Sequence, residues 1–95
     1  MERAGPTLLV TISGELDAAS EHVLVEVADA HLDEACRDVI VSCEALTFVD
    51  SHGLRCLLAL RAACAGTDTR LHLVSTPQLD ELLDITGLAA AFTRQ

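Results

Sequence analysis

The sequence predicts an α/β fold in which three helices pack on a small, largely parallel sheet. Segments with the two-residue period of strands alternate along the chain with segments of helical period. The order strand, helix, strand, helix, strand, helix and short last strand is typical of parallel sheets covered by helices. A chain of 95 residues has room for one domain, which we expect to span residues 1–95.

The first half of the chain predicts a strand, a helix and a second strand. Residues 7–13 alternate apolar and polar side chains and end at Gly14, so a single strand is expected before that glycine. Residues 20–35 follow a helical period. The apolar stripe of this helix consists of Leu24, Ala28, Leu32 and Ala35. The β-branched run 39–41 then predicts a short strand that is buried on both faces.

A second helix and a third strand follow. The helix is expected over residues 51–65 and ends at Gly66, because glycine commonly follows the last helical turn. Its predicted inner face consists of Leu54, Leu57, Leu58 and Ala62. Residues 70–75 alternate again and predict a strand.

The third helix begins after Thr76, whose hydroxyl can accept a backbone N–H of the first turn. Pro77 fits the first helical position, where the missing N–H has no partner in any case. The predicted buried side consists of Leu79, Leu82, Leu83 and Ile85. The helix is expected to end at Gly87, and residues 90–93 predict a last short strand.

Charge and composition exclude several classes of partner. The net charge is −9, and all six bases are arginines, so the chain repels phosphate backbones and anionic lipid. Two Phe, no Tyr and no Trp exclude modules that stack nucleic-acid bases on aromatic rings. No apolar run approaches the roughly 18–20 residues of a spanning helix, and residues 1–6 lack a signal-peptide core. We therefore expect a cytoplasmic protein without nucleic-acid or membrane partners.

No cofactor or metal is expected. The four cysteines form no C-x-x-C pair and no zinc-ligand spacing, so they are interpreted as small buried hydrophobic residues, with a redox or metal role as the alternative. They are Cys36, Cys43, Cys56 and Cys64. Three histidines form no i, i+4 pair, so no metal site is expected among them. These are His22, His31 and His72.

The most informative segment is residues 46–54, which follow a buried strand and open a helix. Asp50 or Ser51 is a natural N-cap, and the free N–H groups of a first helical turn favour anions. A phosphate on Ser51 would therefore meet donors already in place. Gly53 has no side chain, which lets another surface approach the backbone. The plainer interpretation of this segment is a cap and a turn.

A hydrolytic triad of Asp50, Ser51 and His52 is excluded by geometry. Triad side chains converge on one point, whereas consecutive helical residues diverge by about 100°. The nucleophile-elbow pattern G-x-S-x-G also fails, because Val49 stands at its first glycine. We therefore expect no catalytic residue and no enzyme.

Three motifs resemble those of STAS domains. G-E-L-D at residues 14–17 is similar to the end of an early STAS strand, and F-V-D-S-H-G-L at 48–54 looks like the STAS phosphorylation loop. L-L-D-I-T-G-L at 82–88 is similar to the end of the third STAS helix. The resemblance covers roughly residues 7–92 and implies a single STAS-like domain.

The resemblance implies a bacterial anti-sigma-factor antagonist that regulates transcription by partner switching. Such proteins bind an anti-sigma factor that is also a serine kinase. The kinase phosphorylates the serine after the motif aspartate, here Ser51, which ends binding, and a metal-dependent serine phosphatase reverses the modification. The implied partner-binding residues are Glu15, Asp17, Asp50, His52, Gly53 and Leu54. The alternative is a STAS interaction module without phosphorylation, for example a small subunit of a lipid-transport ATPase complex.

Two departures from the family pattern bear on function. His52 stands where relatives carry a small residue. Its ring crowds the nucleotide of the kinase, adds a pH-sensitive charge beside the phosphate, or simply points into solvent. The sequence stops at Gln95, where many relatives carry a final helix, which leaves Leu88 and Phe92 near an end expected to be uncovered. A homodimer that covers these residues and a minimal monomer are both left open.

Overall fold

The computed structural model describes residues 2–17, 22, 24–26 and 36–94. In this part of the chain five strands form one sheet in the order β1-β2-β3-β4-β5. They are β1 (Glu2–Ala4), β2 (Thr7–Leu16), β3 (Asp38–Val49), β4 (Arg70–Val74) and β5 (Thr93–Arg94). Only β1 runs antiparallel to its neighbour, so the predicted α/β fold with a largely parallel sheet is confirmed.

Helices connect the parallel strands. Helix α1 covers Ser51–Gly66, helix α2 covers Pro77–Ile85, and a 3-10 turn covers Ala89–Ala91. Residues 22 and 24–26 are helical and belong to the predicted helix 20–35. The rest of that prediction, including Ala28, Leu32, Ala35 and His31, lies outside the described residues.

The core lies on one face of the sheet. Strands β2 to β5 follow one another in a single direction, and right-handed crossovers then bring the connecting helices to the same face. Side chains on that face are buried across the sheet, as in the row Val10, Val41 and Leu73. On the other face Leu9, Ile40 and His72 are only half-buried. The prediction that residues 39–41 are buried on both faces is therefore wrong for Ile40.

All four cysteines are buried, as predicted, and none of them forms a disulfide bond. The core also contains Phe92, which is 6% exposed. Leu88 is partly buried and packs against this core. The expected uncovered end is therefore wrong, because this segment turns back onto the core. Its burial removes the reason for a homodimer through these two residues.

The sequence missed strand β1. Its three residues are all exposed, so no apolar alternation marks them, and backbone pairing with β2 through the turn at Gly5 holds the strand. Gly14 does not close β2 either. It lies inside the strand with φ +75° at a shift in the pairing with β3, and the strand continues to Leu16.

Strand β3 is far longer than the predicted run 39–41. All of Asp38–Val49 is strand, and it pairs with β2 along almost its whole length. By contrast, β4 pairs only with residues Asp38 to Ser42. Residues 43–49 therefore extend beyond β4, and no strand among the described residues covers the edge of β3 on that side.

Helix α2 is capped as predicted. The N–H of Leu79 donates to Thr76 Oγ1 at 3.2 Å, and Pro77 occupies the first position. At the other end Gly87, with φ +75°, forms a Schellman turn in which the N–H of Leu88 donates to the carbonyl of Leu83 at 2.8 Å.

Two residues of the predicted inner faces point outward. Ile85 is 74% exposed, and Ala62 is also exposed. Each lies two residues from a buried neighbour, Leu83 and Cys64 respectively, which is about 200° around a helix. Both predictions were wrong for this reason.

Candidate functional site

The segment 46–54 ends β3 and opens α1 at the edge where β2 also ends. Glu15 pairs with Phe48, and Leu16 pairs with Val49. The N–H of Asp50 donates to the carbonyl of Leu16 at 3.4 Å. The end of β2, which carries Glu15 and is followed by Asp17, therefore runs directly beside the start of α1.

Asp50 is the N-cap of α1. Its Oδ1 accepts the N–H of Gly53 at 2.8 Å, and its carbonyl accepts the first helical hydrogen bond, from Leu54, at 3.0 Å. Of the two residues that the sequence offered as caps, Asp50 fills the position, and Ser51 is the first helical residue. The hydroxyl of Ser51 is thus not needed to hold the helix end.

Ser51 and His52 are both exposed at this helix end. Their backbone N–H groups have no acceptor among the described residues, as expected for a first helical turn. Apart from the capping carboxylate of Asp50, no acidic side chain lies at the positive end of the helix dipole in that turn. An anionic group on the Ser51 side chain would therefore lie next to free donors.

Gly53 permits a close contact inside the molecule. It is buried, and a Cβ at this position would overlap the carbonyl oxygen of Leu16 and lie 2.9 Å from the carbonyl carbon. The expectation that this glycine opens the backbone to another surface is therefore wrong, because the space is already filled by β2. Leu54 is 3% exposed and belongs to the core. Neither residue is accessible to a partner, whereas Glu15 and His52 are exposed and Asp17 and Asp50 are half-buried.

Arg55 belongs to none of the three sequence motifs. This exposed arginine lies four residues after Ser51 on the same side of α1. Long helical side chains lean toward the helix N-terminus, which directs Arg55 toward the Ser51 turn. The i, i+4 spacing of a serine and an arginine was the signal that could have identified it.

A groove lies between the end of β3 and helix α2. Its cavity volume is about 300 Å³, and Phe48 and Ile85 at its rim are 50% and 74% exposed. The lining residues are Leu46, Thr47, Phe48, Val49, Thr76, Gln78, Leu79, Glu81, Leu82 and Ile85. The sequence did not predict the groove, because Ile85 was assigned to the core.

Two buried thiols and a cluster of charged side chains lie away from the start of α1. Burial raises the pKa of the Cys43 thiol to about 11, and burial with the neighbouring Cys36 raises that of Cys64 to about 11. His72 Nε2 lies 3.1 Å from Asp38 Oδ1, which Arg70 also approaches at 3.6 Å. Across residues 2–17, 22, 24–26 and 36–94 we find no group of three or more metal-ligating side chains.

The helices that the structure describes include none with the length and apolar character needed to cross a membrane.

Residues 1–94 match the STAS domain family, and the chain belongs to this family. A relative named anti-sigma-B factor antagonist, from Staphylococcus aureus, is 30% identical over 80 residues, which cover 83% of this chain and 74% of the relative. The match to a protein of that name agrees with the family that the three sequence motifs indicated.

Solved structures agree on the fold. The anti-sigma factor antagonist SpoIIAA in its unphosphorylated form has a TM-score of 0.77 at 18% identity and covers 100% of this chain and 84% of its own. The phosphorylated form of the Bacillus protein gives 0.75 at 21% identity, over 100% and 87% of the two chains. A sulfate transporter family protein from Wolinella succinogenes gives 0.81 at 21% identity, over 90% and 70%. The predicted STAS-like fold is thereby confirmed.

Proposed function

We propose that this protein is an anti-sigma-factor antagonist of the bacterial cytoplasm, which binds an anti-sigma serine kinase and is inactivated when that kinase phosphorylates Ser51. A serine phosphatase would restore the active form. The observation that carries the proposal is the position of Ser51, which is exposed at the first residue of α1 directly after a separate capping residue. A kinase can modify this hydroxyl without removing the cap.

Phosphorylation would change the surface without unfolding the domain. A phosphate adds about −1.5 to −2 charge and three acceptor oxygens. The free N–H groups of Ser51 and His52 can donate hydrogen bonds to those oxygens, so the helix end stabilises the modified state. The added charge also joins the carboxylates of Asp50, Glu15 and Asp17 at this edge, which weakens the docking of an acidic or closely fitted surface.

Arg55 offers a second contact for a phosphate on Ser51. An arginine four residues after a phosphoserine can pair with the phosphate in the manner of i, i+4 ion pairs. This contact would hold the phosphate over the first turn of α1 and keep the modified side chain in one place. Phosphorylation would then present an ordered obstacle to the partner.

The alternative is a STAS interaction module that binds its partner without phosphorylation. The Wolinella succinogenes protein has the same fold under the name of a transporter family. The fold is therefore compatible with both functions, and the chemistry at Ser51 separates them.

The first experiment incubates the protein with candidate anti-sigma kinases and labelled ATP. Mass spectrometry is expected to find the phosphate on Ser51, and Ser51→Ala is expected to abolish labelling. A phosphate located mainly on Ser20, Ser75 or Thr76, or no phosphate with any candidate kinase that binds the chain, would count against the proposal.

The second experiment measures kinase binding by Ser51→Glu. We expect an affinity at least tenfold lower than that of the parent, which corresponds to about 1.4 kcal/mol. The control is Ala59→Glu, which adds the same charge at an exposed position of the same helix. If Ser51→Glu is folded and binds as tightly as Ala59→Glu, added charge at Ser51 is not the switch.

A further inference from the structure

The edge of β3 beside α2 has free backbone hydrogen-bonding groups. Beyond Ser42, β3 has no strand on the side of β4, and no backbone hydrogen bond joins residues 43–49 to α2 in the described chain. Such a strand edge is a ready template for pairing with another chain. Proline and lysine commonly prevent an edge strand from pairing with another chain, and residues 43–49 contain neither.

The groove along this edge has the shape of a site for an extended peptide. Four consecutive residues of β3, Leu46 to Val49, line it. Alternate side chains of a strand point to opposite faces, and the shift in pairing with β2 adds Thr47 as an extra residue between Leu46 and Phe48. Four consecutive lining residues therefore fit a cavity that runs along the edge of the strand. Helix α2 forms the opposite wall through Leu79, Leu82 and Ile85.

Charge indicates which kind of chain fits. Among the lining residues there is one acid, Glu81, and no base, and the exposed Glu44 lies on the same strand. A second copy of this protein would bring another net charge of −9 to this edge, which opposes self-association. A segment with apolar side chains flanked by Lys or Arg complements both the apolar lining and the acids.

We infer that this groove binds an extended, basic-flanked segment of the anti-sigma kinase, which adds as a strand to the free edge of β3. The inference rests on the proposed function for the identity of the partner. Main-chain hydrogen bonds to residues 44–49 hold the segment, and an apolar side chain lies between Phe48 and Ile85. Because Val49 is followed directly by Asp50 and Ser51, the docked segment brings a separate, closely fitted surface of the kinase next to the phosphorylation site, and this second surface is the one that the phosphate displaces.

Hydrogen exchange tests the backbone pairing. The chain is mixed with the kinase that phosphorylates it, and exchange is compared with that of the free chain. We expect amides within residues 44–49 to exchange at least tenfold more slowly in the complex. Amides of Ser13–Leu16, which already pair with β3, serve as the internal reference.

The apolar wall is tested with Ile85→Ser. This side chain is largely exposed, so the variant is expected to fold, and its affinity for the kinase should fall at least tenfold. Ala59→Ser is the matched control, since it places serine at an exposed helical position outside the groove and should bind as the parent does. Glu81→Gln should weaken binding mainly at low salt, because it removes a charge that attracts the basic flanks.

The outcomes separate the two proposals. If the kinase binds and phosphorylates Ser51 but Ile85→Ser binds as Ala59→Ser does, or residues 44–49 gain no protection, the groove inference fails and the switch survives. If no anti-sigma kinase binds, both fail. A parent that sediments as a dimer and an Ile85→Ser variant that sediments as a monomer would show that a second copy fills the groove, which also overturns the inference.

Discussion

Gly53 provides the sharpest test of how the switch region is built. The N–H of this buried residue donates to the capping carboxylate of Asp50, and its Cα faces the end of β2. In Gly53→Ala the new Cβ would overlap the carbonyl oxygen of Leu16 and lie 2.9 Å from its carbon. Because both atoms belong to the backbone, no side-chain rotation relieves the contact, and β2 must move away from α1.

The size of the effect follows from two opposing terms. Alanine is favoured over glycine in a helix by up to about 1 kcal/mol. Overpacking at a site that can relax only through the backbone costs about 3 kcal/mol, the upper end of the usual range. The net loss in the free energy of unfolding is therefore about 2 kcal/mol. For a domain of this size that lowers the melting temperature by roughly 8–16 °C.

The assay is thermal and urea unfolding of Gly53→Ala beside Gly66→Ala. Gly66 is the last residue of the same helix, and a Cβ there would meet nothing within 4 Å, so we expect this control to gain about 0.4–1 kcal/mol. Opposite signs for the two substitutions support the structural reasoning. A Gly53→Ala protein at least as stable as the parent would refute the close contact between α1 and β2.

Three further predictions concern the cap, the histidine and the thiols. Urea unfolding of Asp50→Ala should show a loss of about 0.5–2 kcal/mol because the cap is removed, whereas Ser51→Ala should stay within about 0.5 kcal/mol; equal losses would contradict the assigned cap. His52→Ser should speed phosphorylation of Ser51 in a kinase time course, because an exposed ring on the next residue can crowd the approaching kinase, and an unchanged rate would mean that its bulk is irrelevant. Burial raises the pKa of the Cys43 and Cys64 thiols from 9 to about 11 in the folded state, so unfolded chains lose these protons at lower pH than folded ones. The free energy of unfolding should therefore be constant below pH 9 and fall as pH rises toward 11, by roughly 3 kcal/mol for each thiol. With neither Lys nor Tyr in the sequence, thiolate absorbance should follow that loss, and constant stability across this range would contradict it.

Elements of the fold were predictable from the sequence where hydrophobic periodicity or a local capping residue specifies them. Thr76 and Pro77 indicated the start of α2 without any tertiary contact, since a cap and a first-turn proline act locally. Strand β1 was not predictable in this way, because its exposed residues carry no pattern and its stability comes from pairing with β2. Ile85 was misassigned because leucine-rich neighbours suggested a wider apolar stripe than the helix buries.

The location of the candidate site in the chain was predictable, whereas the contacts around it were not. The motif around Ser51 indicated an exposed hydroxyl at a helix start, which is the arrangement observed. The reason for Gly53 could not be inferred, because it depends on where β2 ends relative to α1. The groove likewise requires knowing that β4 stops pairing at Ser42, a property of two strands together that no single segment encodes.

Because aromatic residues are scarce, the two phenylalanines of this protein are convenient positions for spectroscopic labels. Its two phenylalanines occupy opposite environments, Phe48 half exposed at the rim of the groove and Phe92 buried in the core. Labelling with fluorophenylalanine would therefore yield two fluorine NMR signals, with no Tyr or Trp nearby to add ring-current shifts. Movement of the Phe48 signal alone would report events at the groove, and movement of the Phe92 signal would report loss of the packed core.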